Sequence, residues 1–201
     1  MPVPAKTRPV QTPPLILASS SPYRAQMLDR LGLPFSTAAS GIDETPAPGE
    51  SPEALVRRLA LEKARHVAPR HPDALIIGAD QVSVLGDEIL GKPGTRERAI
   101  EQIQRMSGRR VDYLSGIALI GPGIEQVDIV PTRLTYRDLD QAEIERYVDR
   151  DQPFDCAGAM RSESLGIALL ETLSSDDPTA LIGMPLIRIA QWLRAAGYRI
   201  P

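Results

Sequence analysis

Two short runs lack any polar side chain: Leu15-Ile-Leu-Ala18 and Ala74-Leu-Ile-Ile-Gly78. At four or five residues they are too short for an ordinary helix, and they offer no wet face as an alternating strand would. They fit strands covered on both sides, and such strands belong to sheets with helices packed on both faces. The first run leads through Ser19-Ser-Ser-Pro22 into a helical segment, Tyr23 to Leu31. Ser21 is placed as its N-cap, Pro22 suits the first turn, and Gly32 suits the stop. The second run follows Asp73 and is expected to end at Ala79-Asp80.

The remaining segments alternate between the two periods. Pro34 to Ala39 suits a strand, and Ser40 to Glu50, with its prolines and glycines, a loop. Ser51-Pro-Glu-Ala opens a helix to about Ala68. Val82 to Ile89 suits a hairpin around Gly86-Asp87, and Thr95 to Met106 a helix stopped by Ser107-Gly108. Val111 to Ile120 and Ile124 to Thr135 flank Gly121-Pro-Gly123 as a long antiparallel pair. Asp140-Gln-Ala-Glu143 is a capping box opening a helix to about Arg150. Ile167 to Leu173 suits a strand, and Ile187 to Ala196 a last helix closed by Gly197. The expected class is α/β with a mixed sheet.

A chain of 201 residues holds one domain, or two small lobes sharing a sheet, and needs no staples. Residues 1–14 carry five prolines and no apolar core, which suits a disordered arm rather than a signal peptide and leaves one domain over 15–201. No apolar stretch reaches the roughly 18 residues of a membrane span, so the expected compartment is the cytoplasm and no membrane partner is expected. The charge balance, 23 Lys+Arg against 26 Asp+Glu, argues against sequence-independent nucleic-acid binding. An anionic ligand would need locally gathered cations. The single cysteine, Cys156, excludes an intramolecular disulfide, and with His66 and His71 it forms no ligand spacing for a Cys/His metal cluster.

Several residues stand out against that background. Ala18-Ser-Ser-Ser-Pro-Tyr-Arg24 passes from a buried strand to a helix N-terminus. That end favours an anion, three hydroxyls add donors, and Arg24 adds a forked cation; an ordinary serine cap is the alternative. Lys63 falls in the middle of the stripe Leu55, Leu59, Lys63, Val67, where it must snorkel, pair or meet an anion. Asp80, expected just past a buried strand, could hold a metal or activate a water, or serve as a turn aspartate. Gln81 beside it offers an amide edge. Lys92, between Gly91 and Pro93, suits phosphate or solvent equally. Asp43-Glu44 offers two more carboxylates in the loop. The segment 155–166 is rich in small residues that let a ligand approach the backbone, and it carries Glu163. Cys156 within it reads as a small core residue with no base beside it. There is no Walker loop and no dinucleotide fingerprint.

Six motifs in order, ASSSPYR, Ile42-Asp-Glu44, Glu62-Lys-Ala64, Gly78-Ala-Asp-Gln81, Gly91-Lys-Pro93 and CAGAMRSESLG from Cys156 to Gly166, resemble the Maf family of nucleoside triphosphate pyrophosphatases, in its YceF-like branch. The resemblance covers the chain from Leu15 onward. It implies a long, twisted mixed sheet with two lobes around a central cleft. It also implies metal-dependent cleavage between the α and β phosphates, releasing a monophosphate and pyrophosphate. Asp80 matches the family's proton acceptor. Ser19, Arg24, Glu44, Lys63 and Lys92 match its phosphate- and metal-handling positions, with Glu44 and Asp80 as metal ligands. The implied cofactor is a divalent cation, Mg²⁺ or Mn²⁺, with Co²⁺ a further candidate, and a homodimer is compatible with the family.

Tyr23, Gln81 and Glu163 match the positions that separate the branches by base, and here they resemble the branch acting on 7-methyl-GTP. An aromatic face attracts the cationic 7-methylguanine ring, and Glu163 can accept from the guanine N1 and N2 donors. Tyr23 stands where the branch has tryptophan, a stronger partner for a cation. Arg161 stands where it has lysine, a change expected to alter little. The competing expectations are a dTTP/UTP or broad-specificity pyrophosphatase, and a nucleotide-binding regulator of cell division.

Overall fold

The computed structural model describes residues 12–201. Seven strands form one mixed sheet in the order β2-β1-β3-β5-β6-β7, with β4 paired to the far end of β3. Here β1 is Leu15–Leu17, β2 Ser36–Thr37, β3 Leu75–Leu85, β4 Glu88–Leu90, β5 Arg110–Gly121, β6 Ile124–Tyr136 and β7 Leu170–Ser175. The helices are α1 Pro22–Asp29, α2 Pro52–Val67, α3 Arg96–Met106, α4 Gln141–Asp151 and α5 Leu186–Ala195. The caps follow the sequence signals. Ser21, Ser51 and Thr95 each accept a backbone N–H of the first turn, and Asp140 and Glu143 form the reciprocal capping box. The expected α/β class, a mixed sheet flanked by helices, is the observed one.

The long central strand departs from expectation. β3 does not stop at Asp80 but runs from Leu75 to Leu85, 11 residues in all, so Asp80 lies mid-strand. β1 pairs parallel with Leu75 to Ile77 only, whereas β5 pairs antiparallel with every residue from Ile76 to Val84. That ladder carries the strand through its polar residues and past the end of β1. Asp80 therefore stands beyond the carboxyl end of β1, where the parallel pairing gives out. The expected turn at Gly86-Asp87 does form, joining β3 to β4. The last strand is also shifted: Leu165–Leu169 is a 3₁₀ segment, and β7 begins at Leu170.

Side chains alternate across β3, and its two faces meet different helices. Ile77 and Ala79 pack with α1 and α5 through Leu28, Ile189 and Leu193. Ile76 faces Ala60 and Ala64 of α2, and Val82 and Val84 face its Leu55 and Leu59. Farther along the sheet, Leu85, Tyr113 and Leu134 pack with α3 and α4 through Ile103, Met106 and Val148. Two glycines bring α2 onto the sheet. A Cβ at Gly78 would lie 2.0 Å from the Ala60 carbonyl oxygen, and one at Gly116 would lie 2.3 Å from that of Val56. Gly116 pairs with Asp80 across the ladder, so the helix lies close on the sheet beside the carboxylate.

Of the arm expected over 1–14, residues 1–11 lie outside those described. Pro13 and Pro14 are held: the Tyr198 hydroxyl donates to the Pro13 carbonyl, and the Leu75 N–H donates to that of Pro14 at 2.8 Å. The ordered chain thus begins before Leu15. Among the described residues no helix is long and apolar enough to cross a membrane.

Candidate active site

A cleft of about 670 Å³ is lined by residues of α1, α2, β3 and the 155–163 segment. Nine of the residues singled out in the sequence line it: Ser19, Tyr23, Arg24, Glu44, Lys63, Asp80, Gln81, Lys92 and Glu163. They come from six separate stretches of chain, and the sheet and α2 bring them together.

Lys63 is the centre. The stripe that contains it is buried throughout, and Lys63 itself is 4 % exposed. Its ammonium does not snorkel. It donates to Asp80 Oδ1 at 2.7 Å and lies 2.9 Å from Glu44 Oε1. Asp80 is 5 % exposed, while Glu44 reaches in from the loop with more than half its side chain in water. Of the carboxylate pair in that loop, only Glu44 enters the cleft. Asp43 turns back to accept the Thr45 N–H at 2.9 Å, and hydrogen bonds from Thr45 lower its pKa. The loop is fastened by Glu50, whose carboxylate takes the Arg58 guanidinium at 2.7 and 2.8 Å and the Ala47 N–H at 2.9 Å. These donors bring Glu50 down to about 2. No sequence signal marked Glu50 and Arg58 as the support of Glu44.

The other cations surround this pair. Arg24 is half-buried on the first turn of α1, and its Nε donates to the Gly183 carbonyl at 3.3 Å. Desolvation lowers its pKa, while the charges of Asp80 and Glu44 oppose the shift. Among the described residues, no carboxylate lies within salt-bridge distance of Arg24 or Lys92. Ser19 turns its oxygen to the Ser21 N–H at 3.1 Å, which leaves its own hydroxyl proton to donate. The α1 N-terminus points its partial positive charge at the same space.

The far end of the cleft is built differently from expectation. Gln81 spends its amide N–H groups on the Ala180 and Leu181 carbonyls, both at 2.9 Å, so it presents an acceptor rather than a full amide edge. Tyr23 is latched across the cleft. Its hydroxyl donates to Asp155 at 3.3 Å and accepts from Arg161 at 3.2 Å, and the Arg161 guanidinium lies 5.8 Å from its ring centroid. Arg161 also reaches the Asp151 carbonyl at 3.1 Å. A lysine has one compact ammonium and could not span these partners, so the arginine alters the site more than its charge suggests. Asp155 was missed in the sequence, because its partner is 132 residues away. Cys156 lines the cleft, but burial pushes its thiol up to about 11, which keeps it protonated.

Among the described residues, no group of three His, Cys, Asp or Glu side chains could hold a metal by itself. Glu44 and Asp80 are two carboxylates sharing one ammonium. That donor set suits a hard cation such as Mg²⁺, which takes one or two carboxylates and completes its shell with phosphate oxygens and water.

A model of Maf-like proteins matches residues 14–196. The chain belongs to the Maf family. Relatives in this family include a protein of Aromatoleum aromaticum, 53 % identical over 93 % of this chain and 97 % of its own length. Another, from Nitrosococcus oceani, is 52 % identical over 94 % of this chain and 96 % of its own. A third, from Pseudomonas putida, is 50 % identical over 94 % and 99 %. Each is named 7-methyl-GTP pyrophosphatase.

Proposed function

We propose that this Maf protein hydrolyses 7-methyl-GTP to 7-methyl-GMP and pyrophosphate, removing a modified nucleotide from the pool. The observation that carries the reading is the buried Lys63–Asp80 pair, with Glu44, on the wall of a cleft that also holds Arg24 and Lys92. An ion pair this dry contributes little to stability compared with apolar packing. It suits a site that must hold a carboxylate aimed.

The chemistry follows from which atoms remain available. Asp80 gives Oδ1 to Lys63, and its other oxygen takes no hydrogen bond from the described residues. That oxygen accepts the proton of a water attacking the α phosphorus. Lys63 holds the carboxylate in one orientation. Arg24, Lys92 and the Ser19 hydroxyl bind the phosphates and neutralise charge that grows on the departing pyrophosphate, which is where preorganised donors accelerate a reaction. Glu44 and Asp80 would hold a divalent cation, which would supply further neutralisation of that charge. Glu163 accepts from the guanine edge, and Tyr23, latched to Asp155 and Arg161, offers the base its free surface. The enzyme acts in the cytoplasm, where nucleotides are made and used.

The test is pyrophosphate release from 7-methyl-GTP, GTP, dTTP, UTP and ITP, each with Mg²⁺ and with Mn²⁺. Preference for 7-methyl-GTP supports the reading. Preference for dTTP or UTP overturns the roles of Tyr23 and Glu163 while leaving Asp80 in place. Tight nucleotide binding without hydrolysis overturns the enzyme reading in favour of a regulator.

A further inference from the structure

The segment that carries Glu163, residues 160–164, is neither helix nor strand. It is held in place from one face of α4. Tyr147 and Asp151 are four residues apart and project from the same side of that helix. The Tyr147 hydroxyl accepts the Arg161 N–H at 3.0 Å and donates to the Ala159 carbonyl at 3.3 Å. Asp151 does more. Its Oδ1 accepts the Ser164 hydroxyl at 2.6 Å, its Oδ2 accepts the Leu165 N–H at 3.1 Å, and its backbone carbonyl accepts the Arg161 guanidinium. These bonds fall on both sides of Glu163. The Gly166 N–H then closes the turn onto the Arg161 carbonyl at 3.0 Å, where a Cβ would come within 2.4 Å of that oxygen.

Asp151 is an unfavourable residue for its position by local criteria. It ends α4, where the helix carries partial negative charge. It is 7 % exposed, and among the described residues no cation lies within salt-bridge distance of its carboxylate. A buried carboxylate held only by a hydroxyl and an amide costs free energy that a neutral side chain would not. What it supplies are two acceptors aimed at the residues that follow Glu163. It does not line the cleft, so it has no direct part in binding.

We propose that Asp151 is a positioning residue for base recognition, fixing the backbone that presents the Glu163 carboxylate to the guanine edge. The proposal rests on the reading of Glu163 given above. The Asp151 carboxylate acts through the segment that carries Glu163; its backbone carbonyl, which holds Arg161, is untouched by a side-chain substitution.

The experiment measures KM and kcat for 7-methyl-GTP, and Ki for inorganic tripolyphosphate, in Asp151→Ala, Asp151→Asn, Glu163→Ala and the Asp151→Ala/Glu163→Ala double variant. Tripolyphosphate occupies the phosphate region without a base. The expected result for Asp151→Ala is a KM raised about tenfold, with kcat and the tripolyphosphate Ki changed by less than about threefold, given that one lost orienting contact is worth about a factor of ten. Asp151→Asn keeps an acceptor for the Leu165 N–H and takes an intermediate value, which also serves if the alanine variant folds poorly. In the Glu163→Ala background, Asp151→Ala adds nothing further. A parallel rise in KM and Ki, or effects that add in the double variant, would show a general structural role and overturn the proposal. A Glu163→Ala enzyme with unchanged KM would overturn the base contact itself, and Asp151's role with it.

Discussion

Replacing Lys63 with methionine keeps the length of the side chain and removes the charge. The consequence follows from what the two carboxylates can then do. Glu44 has 57 % of its side chain in water and loses little when its partner goes. Asp80 is 5 % exposed and has no second cation within hydrogen-bond distance, so the loss falls on it. Removing one member of a buried pair costs 3–5 kcal/mol, and a cleft that admits water puts this case near the lower end, about 3 kcal/mol. For a chain of this size each kcal/mol moves the melting temperature by about 2–4 °C, so Lys63→Met should melt roughly 6–12 °C lower. Asp80→Asn added to it removes the stranded charge, and the double variant should return to within about 1 kcal/mol of the wild type. Activity should not return: loss of the cation and the base together leaves pyrophosphate release at least about 100-fold down. Differential scanning calorimetry beside a pyrophosphate-release assay reads both. A Lys63→Met protein as stable as the wild type, or a double variant no more stable than Lys63→Met alone, would refute the claim that the pair is buried and coupled.

Three further outcomes follow from the same structure. Gly78→Ala places a methyl group 2.0 Å from the Ala60 carbonyl oxygen, so α2 must lift from the sheet; a loss of about 2–3 kcal/mol is expected in denaturant titration, together with weakened turnover as Lys63 moves from Asp80. Glu50, at about 2 against an ordinary 4.5, has its folded-state pKa depressed, so the stability it contributes is full above about 4.5 and is lost as pH falls toward 2; Glu50→Gln should flatten the melting temperature over that window, and an unchanged acid profile would count against the clamp. Cys156→Ala should keep turnover within about threefold, and the native thiol should react slowly with iodoacetamide at pH 7.5, since at about 11 it is almost wholly protonated.

Much of the site was legible because its residues break local rules. Lys63 sits where the helical period demands an apolar side chain, and Asp80 interrupts an apolar run. Such violations stand out in a single sequence. The caps at Ser21, Ser51, Thr95 and Asp140 were legible for the opposite reason, since each obeys a rule that operates over three or four residues. What could not be read depends on distant partners. β3 continues through Asp80, Gln81 and Ser83 because β5 supplies its ladder and because Lys63 and the 180–181 carbonyls satisfy Asp80 and Gln81. The local pattern shows only polar residues where a strand should end. The Tyr23 latch joins residues 132 and 138 positions apart, and no periodicity encodes it. Ile167 to Leu169 read as strand but belong to the 3₁₀ turn at 165–169; Leu169 serves the α3–α4 core whichever backbone carries it, while Ile167 is exposed.

The central claim is that water, activated by Asp80, attacks the α phosphorus. Hydrolysis of 7-methyl-GTP in ¹⁸O-labelled water, followed by mass spectrometry of both products for wild type and Asp80→Asn, tests it most directly. The account predicts one ¹⁸O atom in 7-methyl-GMP, none in pyrophosphate, and no turnover above background in the variant. Label in the pyrophosphate, release of orthophosphate, or an Asp80→Asn enzyme that keeps the wild-type rate would contradict it.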